Sequence, residues 1–309
     1  MSDSADIDDQ NSETSKSETM DPVTSKALIK AAEETASLLS RIFGPAADEI
    51  GISLAERIRG QRERKALERQ IANLERIGLN ADRKTLSAMR RDQIPPRVAT
   101  KLIEEARFAE TPILTEYIGG ILASARHLGG NDDSTIEQID LISRMSSTSL
   151  KLHYLIYREL LRVGPRKKVN FFDIDEAIKL RLVLYAEDAI REVVGEDFEK
   201  VEYSKIFNEA LNTLHRLELV ETVISGTVEY LRRNYQGIDS DASILRPTAY
   251  GVSLYMTAFG LGDTPTDDYL TIDPARMSIP DIPQVRAALL SDTKNQSDQS
   301  SDTQFTQEE

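Results

Sequence analysis

Apolar residues recur at three- and four-residue spacing through the first half of the chain, the periodicity of helices buried along one side. Leu28, Ile29, Ala32, Ala36, Leu39, Ile42 and Phe43 draw the first such stripe, which Gly44 and Pro45 break. A longer helix is predicted from about residue 46 to 77, with Ile50, Leu54 and Ile58 early and Leu67, Ile71 and Leu74 late. Its late part keeps coiled-coil spacing for only about one heptad, so a packed helical hairpin is expected instead of an extended coiled coil.

Pro95 and Pro96 open a helical pattern from Arg97, and Thr111 with Pro112 opens another that continues to Gly129. Proline suits a first helical turn because its missing N–H has no partner there anyway. Gly119 and Gly120 lie inside the second pattern, where each costs up to about 1 kcal/mol relative to alanine; close approach of a neighbouring helix is the expected reason. Ser134 with Glu137 makes a capping box. Ser147 or Thr148 caps a further helix that stops at Gly164 and Pro165. Residues 25–164 therefore read as an all-helical domain with antiparallel neighbours.

Beyond Pro165 the pattern changes. Ile178, Leu180, Leu182 and Leu184 alternate as in a strand, but Ile174, Ala177, Ile178, Leu182 and Tyr185 also fit a helix, and segment length favours the helix. A clear helix follows from Ser204 to Leu217, then a strand from Glu218 to Ser225, an antiparallel mate at Ile244 to Arg246, and a closing helix from Pro247 and Thr248. Helix, strand, excursion, strand is the cadence of a winged helix, placed at residues 165–262. The expected fold class is mainly α: a multi-helix domain followed by a small winged-helix-like α+β unit.

Charge refines the boundaries. Residues 1–24 hold seven acidic residues and one lysine, and residues 263–309 hold ten acidic and three basic, against a whole-chain net charge of −14. Both segments read as disordered acidic tails with too few apolar groups to offset chain entropy, leaving the stretch between them close to neutral. The acidity thus says little against a nucleic-acid partner. Within the second tail, Ile282, Val285, Ala288 and Leu289 could form one docking turn after the prolines. The chain has no cysteine and no tryptophan; disulfide and thiolate chemistry are excluded, and a cytoplasmic setting is expected. No apolar run approaches the roughly 18 residues of a membrane span.

Candidate chemistry is sparse. His127, His153 and His215 show no metal-ligand spacing and read as structural or surface groups. Glu33/Glu34, Glu104/Glu105 and Asp132/Asp133 are sequence neighbours, which point in different directions on a helix. Gly119-Gly120 and Gly129-Gly130 lack the lysine of a phosphate loop. No catalytic residue, metal or cofactor is expected. Three basic groups remain as contacts for nucleic acid or an acidic partner. Arg59, Arg62, Arg64 and Lys65 lie in a run also readable as a solvated face balanced by Glu56, Glu63 and Glu68. Arg166, Lys167 and Lys168 form a basic linker. Lys205, Asn208, Asn212 and Arg216 sit on the helix that would enter a major groove, with Arg232 and Arg233 on the wing.

Four short patterns in order, "GPAADEIG" at 44–51, "IPPRVATKLIEEARFAETPILTEYIGGILASA" at 94–125, "IDLISRMSSTSLKLHYLI" at 139–156, and "LHRLELVE" with "LRPTAYGVSLYMTAFG" at 214–260, resemble the abortive-infection alpha (Abi-alpha) family, bacterial proteins linked to phage defence. The chain departs from the family where Tyr117 to Gly119 replace a tryptophan-alanine pair, and where "LRPTAYG" replaces leucine, threonine, proline, then glycine. The resemblance implies a role in halting phage propagation and carries no catalytic residues. The leading expectation is a non-enzymatic sensor or effector that contacts a host or phage protein. A DNA-binding regulator is the alternative. Membrane damage by the first helices is a third, opposed by Glu33, Glu34 and the acidic leader.

Overall fold

A computed structural model describes residues 61–85, 94–126, 134–195 and 200–293, with Ser37 and Ser40 as isolated helical positions. The predicted helix at 25–43, the first half of the predicted 46–77 helix, His127, and residues 1–24 and 294–309 lie outside the described residues. So do the side chains of Arg59, Arg62 and Arg64.

The structure is mainly helical with a small antiparallel sheet in its C-terminal part. Helix α1 spans Gln61–Lys84, running past the predicted end at Ile77. Next come α2 (Pro96–Ala106), α3 (Pro112–Ala125), α4 (Ser134–Ser143) and α5 (Ser147–Val163). Ser146, one residue ahead of the predicted cap, accepts from the Ser149 amide at 3.0 Å. Helix α3 is mostly apolar and is buried continuously from Thr115 to Ala125, the signature of a central helix. Its two glycines earn their places differently. A Cβ on Gly119 would lie 2.6 Å from Asn80 Cβ of α1; one on Gly120 would lie 1.7 Å from the Ala258 carbonyl oxygen. The close helix approach expected from sequence is present on two sides.

The stretch 174–194 is not one helix. It divides into α6 (Ile174–Lys179), strand β1 (Leu182–Tyr185) and α7 (Ala186–Val194). Every β1 residue is buried, because β3 pairs on one side and β4 on the other. Tertiary pairing overrides the helical periodicity. Helix α8 (Lys200–Arg216) leads into β2 (Val220–Gly226) through Glu218, whose φ of 59° lies in the left-handed region usual after a helix. A short helix α9 (Val228–Arg232) occupies the excursion, followed by β3 (Ala242–Pro247) and α10 (Ala249–Ala258), which Thr248 caps by accepting from the Gly251 amide. Strands lie in the order β2-β3-β1-β4. With α7 and α8 between β1 and β2, and β2 and β3 forming the hairpin, this is the winged-helix arrangement. Side chains alternate through it. Leu182, Leu184 and Leu245 join the main core, whereas Val183, Tyr185 and Ile244 form a second cluster with Leu231 of α9.

Two expectations need correction. The main cluster of buried side chains runs from Leu74 to Leu289, so the helical part and the winged helix share one core across Gly164 and Pro165. The acidic segment beyond residue 262 is not a disordered tail as far as Thr293. It forms 3-10 turns at Thr266–Thr271 and Pro274–Met277, then strand β4 (Ala287–Leu289). Tyr269, Leu270, Met277, Val285 and Leu289, spaced among exposed acids, are buried and anchor it.

The core holds a polar centre at His153. His153 of α5 is fully buried; its Nε2 donates to the Gly251 carbonyl at 3.2 Å, so Nδ1, 2.7 Å from Tyr117 Oη, accepts from that hydroxyl. The ring is the neutral tautomer, and burial pushes its pKa down to about 3. An unfolded chain binds a proton near the ordinary value of 6.5 that the folded chain refuses. Stability from this site is therefore complete above about pH 6.5 and falls as pH drops toward 3, by up to about 1.4 kcal/mol per unit. Denaturant midpoints measured across that window should flatten by about one proton's worth in a His153→Asn variant; an unchanged slope would place the acid sensitivity elsewhere.

Candidate functional site

The candidate site is an open groove of about 790 Å³ at the end of the winged helix. One wall comes from the loop before α6. There Asn170 Oδ1 accepts from the Phe172 amide at 2.9 Å, and Asp173 caps α6 by accepting from Asp175 and Glu176. Two adjacent aromatics in non-helical backbone diverge, so Phe171 turns into the core while Phe172 stands 79% exposed. Ile174, 64% exposed, and Tyr250 at the start of α10, 42% exposed, complete the apolar lining with Pro247. The rest of the lining is polar: His215 and Arg216 end α8, Glu218 forms the turn, and Glu221 of β2 pairs with Arg246 of β3. His215 Nδ1 lies 3.1 Å from the Val220 carbonyl, which fixes the ring at the rim.

Two cationic side chains, Arg216 and Arg246, and two acidic ones, Glu218 and Glu221, line the groove, so their formal charges balance. It has room for one or two bulky side chains. Apolar Phe172, Ile174, Pro247 and Tyr250 thus share one groove with Arg216, Glu218, Glu221 and Arg246.

The sequence-derived candidates fall into separate places. Lys205, Asn208, Asn212 and Arg216 share one exposed stripe of α8, whose other side carries the buried Phe207, Ala210, Leu211 and Leu214. Only Arg216 reaches the groove. Arg232 and Arg233 end α9, which packs through Leu231 on the sheet face opposite the main core, and Arg232 Nε donates to the Ile238 carbonyl at 2.8 Å. Arg166 donates to the Ile272 carbonyl and Lys168 pairs with Asp268 at 2.5 Å, so these two hold the C-terminal segment, while Lys167 is exposed beside them. Lys65 is exposed near the start of α1. The structure does not gather these cations into one surface.

Sequence reading passed over Phe172, Ile174, Tyr250 and Arg246. The available signal was the "FFDID" run, where two aromatics precede an aspartate cap. Among the described residues no group of His, Asp or Glu could hold a metal ion, and no helix is long and apolar enough to cross a membrane. No protein-family model, curated protein or solved structure matches this chain.

Proposed function

We propose that this chain is a non-enzymatic phage-defence protein of the cytoplasm that grips another protein, from host or phage, in the groove beside α8. The four patterns resembling the Abi-alpha family motivate the setting. One observation carries the contact mode: of the seven exposed large hydrophobic residues among those described, Phe172, Ile174 and Tyr250 converge on this groove, and Ile178 lies one turn beyond Ile174. Exposed apolar groups scattered singly need no explanation, but a convergent set marks a binding surface. Glu218 and Glu221 beside Arg216 and Arg246 suit a partner with an apolar anchor and mixed charges better than a polyanion.

A second reading is favoured by the winged-helix topology itself. In it the stripe Lys205, Asn208, Asn212 and Arg216 enters a DNA major groove. Exposed Glu209 on the same helix opposes it. Fluorescence anisotropy with duplex DNA at low salt separates the two: saturable, salt-dependent binding lost on Lys205→Ala with Arg216→Ala would promote the DNA reading, and no binding would remove it. Phage challenge tests the setting. Cells expressing the chain should plate at least one member of a broad phage panel on the order of tenfold less efficiently than cells lacking it; equal plating across the panel would reject a defence role.

A further inference from the structure

The groove's apolar wall is not held by its own loop alone. The Val169 amide donates to the Asp267 carbonyl at 3.1 Å, Lys168 pairs with Asp268, Arg166 donates to Ile272, and the Phe171 ring meets Tyr269 edge-on at 6.0 Å. Tyr269 is fully buried and its hydroxyl donates to the Tyr157 carbonyl. Residues 267–272 thus strap the chain that presents Phe172.

Farther along, the same segment is held through its backbone. Tyr255 donates to the Met277 carbonyl at 2.6 Å, and Tyr154 Oη accepts from the Ile279 amide at 2.7 Å. Arg158 donates to the Ile282 and Pro283 carbonyls at 2.7 and 2.6 Å, and Glu159 accepts from the Val285 amide at 3.3 Å. Strand β4 then adds to the outer edge of β1, although β2-β3-β1 already completes the winged-helix sheet. The end of the strap reaches the loop between α9 and β3, where a Cβ on Gly237 would lie 1.8 Å from the Thr293 carbonyl oxygen. Apolar anchors in this distal half are spaced out: Met277 and Ile279 are buried and Ile282 is partly buried. Val285, Leu289 and Leu290 are buried, while Pro280, Asp281, Pro283 and Gln284 are exposed.

We infer that residues 263–293 form a conformational strap that sets the groove: with the distal half docked, the loop 166–172 is pinned and Phe172 is presented, and with it released the apolar wall loosens. This regulation rests on the groove being the working surface. Contacts that read backbone, with exposed residues between the buried anchors, suit a segment whose distal half can loosen locally.

Hydrogen exchange on the full-length chain tests it, because the Val169 amide reports strap docking directly. Glu159→Gln and, separately, Val285→Asp disturb the distal half without touching residues 166–172. In each, exchange should accelerate on the order of tenfold both at 282–290 and at 169–173, with α3 unchanged. Faster exchange at 282–290 with 169–173 at the wild-type rate would overturn the coupling. Wild-type exchange at 282–290 in both variants would overturn it equally, by denying that these contacts hold the strap. Should Glu159→Gln fail to fold, Val285→Asp alone decides. Phage plating is not the readout, so the two ideas can fail apart: a loosened wall with undiminished protection keeps the strap and removes the groove as the working surface.

Discussion

Gly120→Ala is expected to lower the melting temperature by about 10 °C or to abolish soluble expression. The added Cβ would lie 1.7 Å from the Ala258 oxygen and 2.1 Å from the Ala258 carbonyl carbon. Both are backbone atoms of α10, so no rotamer change relieves the overlap, and α3 and α10 must move apart. Overpacking ordinarily costs about 1–3 kcal/mol, and a main-chain obstacle places this case at the upper end or beyond. For a fold of this size each kcal/mol shifts melting by about 2–4 °C. The separation would also reach the groove, because Tyr250 stands at the start of α10. A thermal scan by circular dichroism checks it; melting within about 3 °C of wild type would mean that α3 and α10 do not meet as described.

Glu159→Ala should cost about 3–5 kcal/mol, the typical effect of stranding a buried charge. The Glu159 side chain is completely buried on α5; Arg158 Nη2 lies 2.7 Å from its Oε1 and Arg162 Nε 2.5 Å from its Oε2. Removing the carboxylate leaves Arg158, also buried, with the Ile282 and Pro283 carbonyls and the Tyr154 ring, and frees the Val285 amide. Replacing both charges, as Arg158→Met with Glu159→Leu, should destabilise less than Glu159→Ala alone, because the ion left without its partner, Arg162, is part-exposed and no buried charge is stranded. Urea denaturation of the three proteins at pH 7 reads this order. A double variant less stable than the single one would show that the arginine's grip on the strap outweighs the ion pair.

Much of the architecture was legible because local signals agreed with the fold. Pro96 and Pro112 open α2 and α3, Thr248 caps α10, and the glycine pair marks helix contact, each for a reason that acts within a few residues or across one close packing face. What escaped depended on distant partners. The strand at Leu182–Tyr185 is a strand because β3 and β4 flank it, and its own periodicity suits a helix as well. Most of the strap escaped because Tyr269, Leu270 and Met277 are sparse among acids; its end was legible at Ile282, Val285, Ala288 and Leu289, of which Val285 and Leu289 are buried, although residues 287–289 form a strand and not a turn. The groove escaped for a related cause. Its lining comes from the loop before α6, the end of α8, strands β2 and β3 and the start of α10, which no sequence window brings together, whereas of the described basic residues singled out by composition Arg216 alone lines it.

The groove is the central claim, and phage plating with surface variants addresses it most directly. Phe172→Asp with Tyr250→Asp changes two exposed side chains and should leave melting within a few degrees of wild type, so that a lost phenotype reports lost contact. The account predicts that this pair abolishes protection while Lys205→Ala with Asn208→Ala, on the far part of the α8 stripe, retains it. Protection retained by the groove pair and lost in the α8 pair would contradict the account and hand the function to the α8 face.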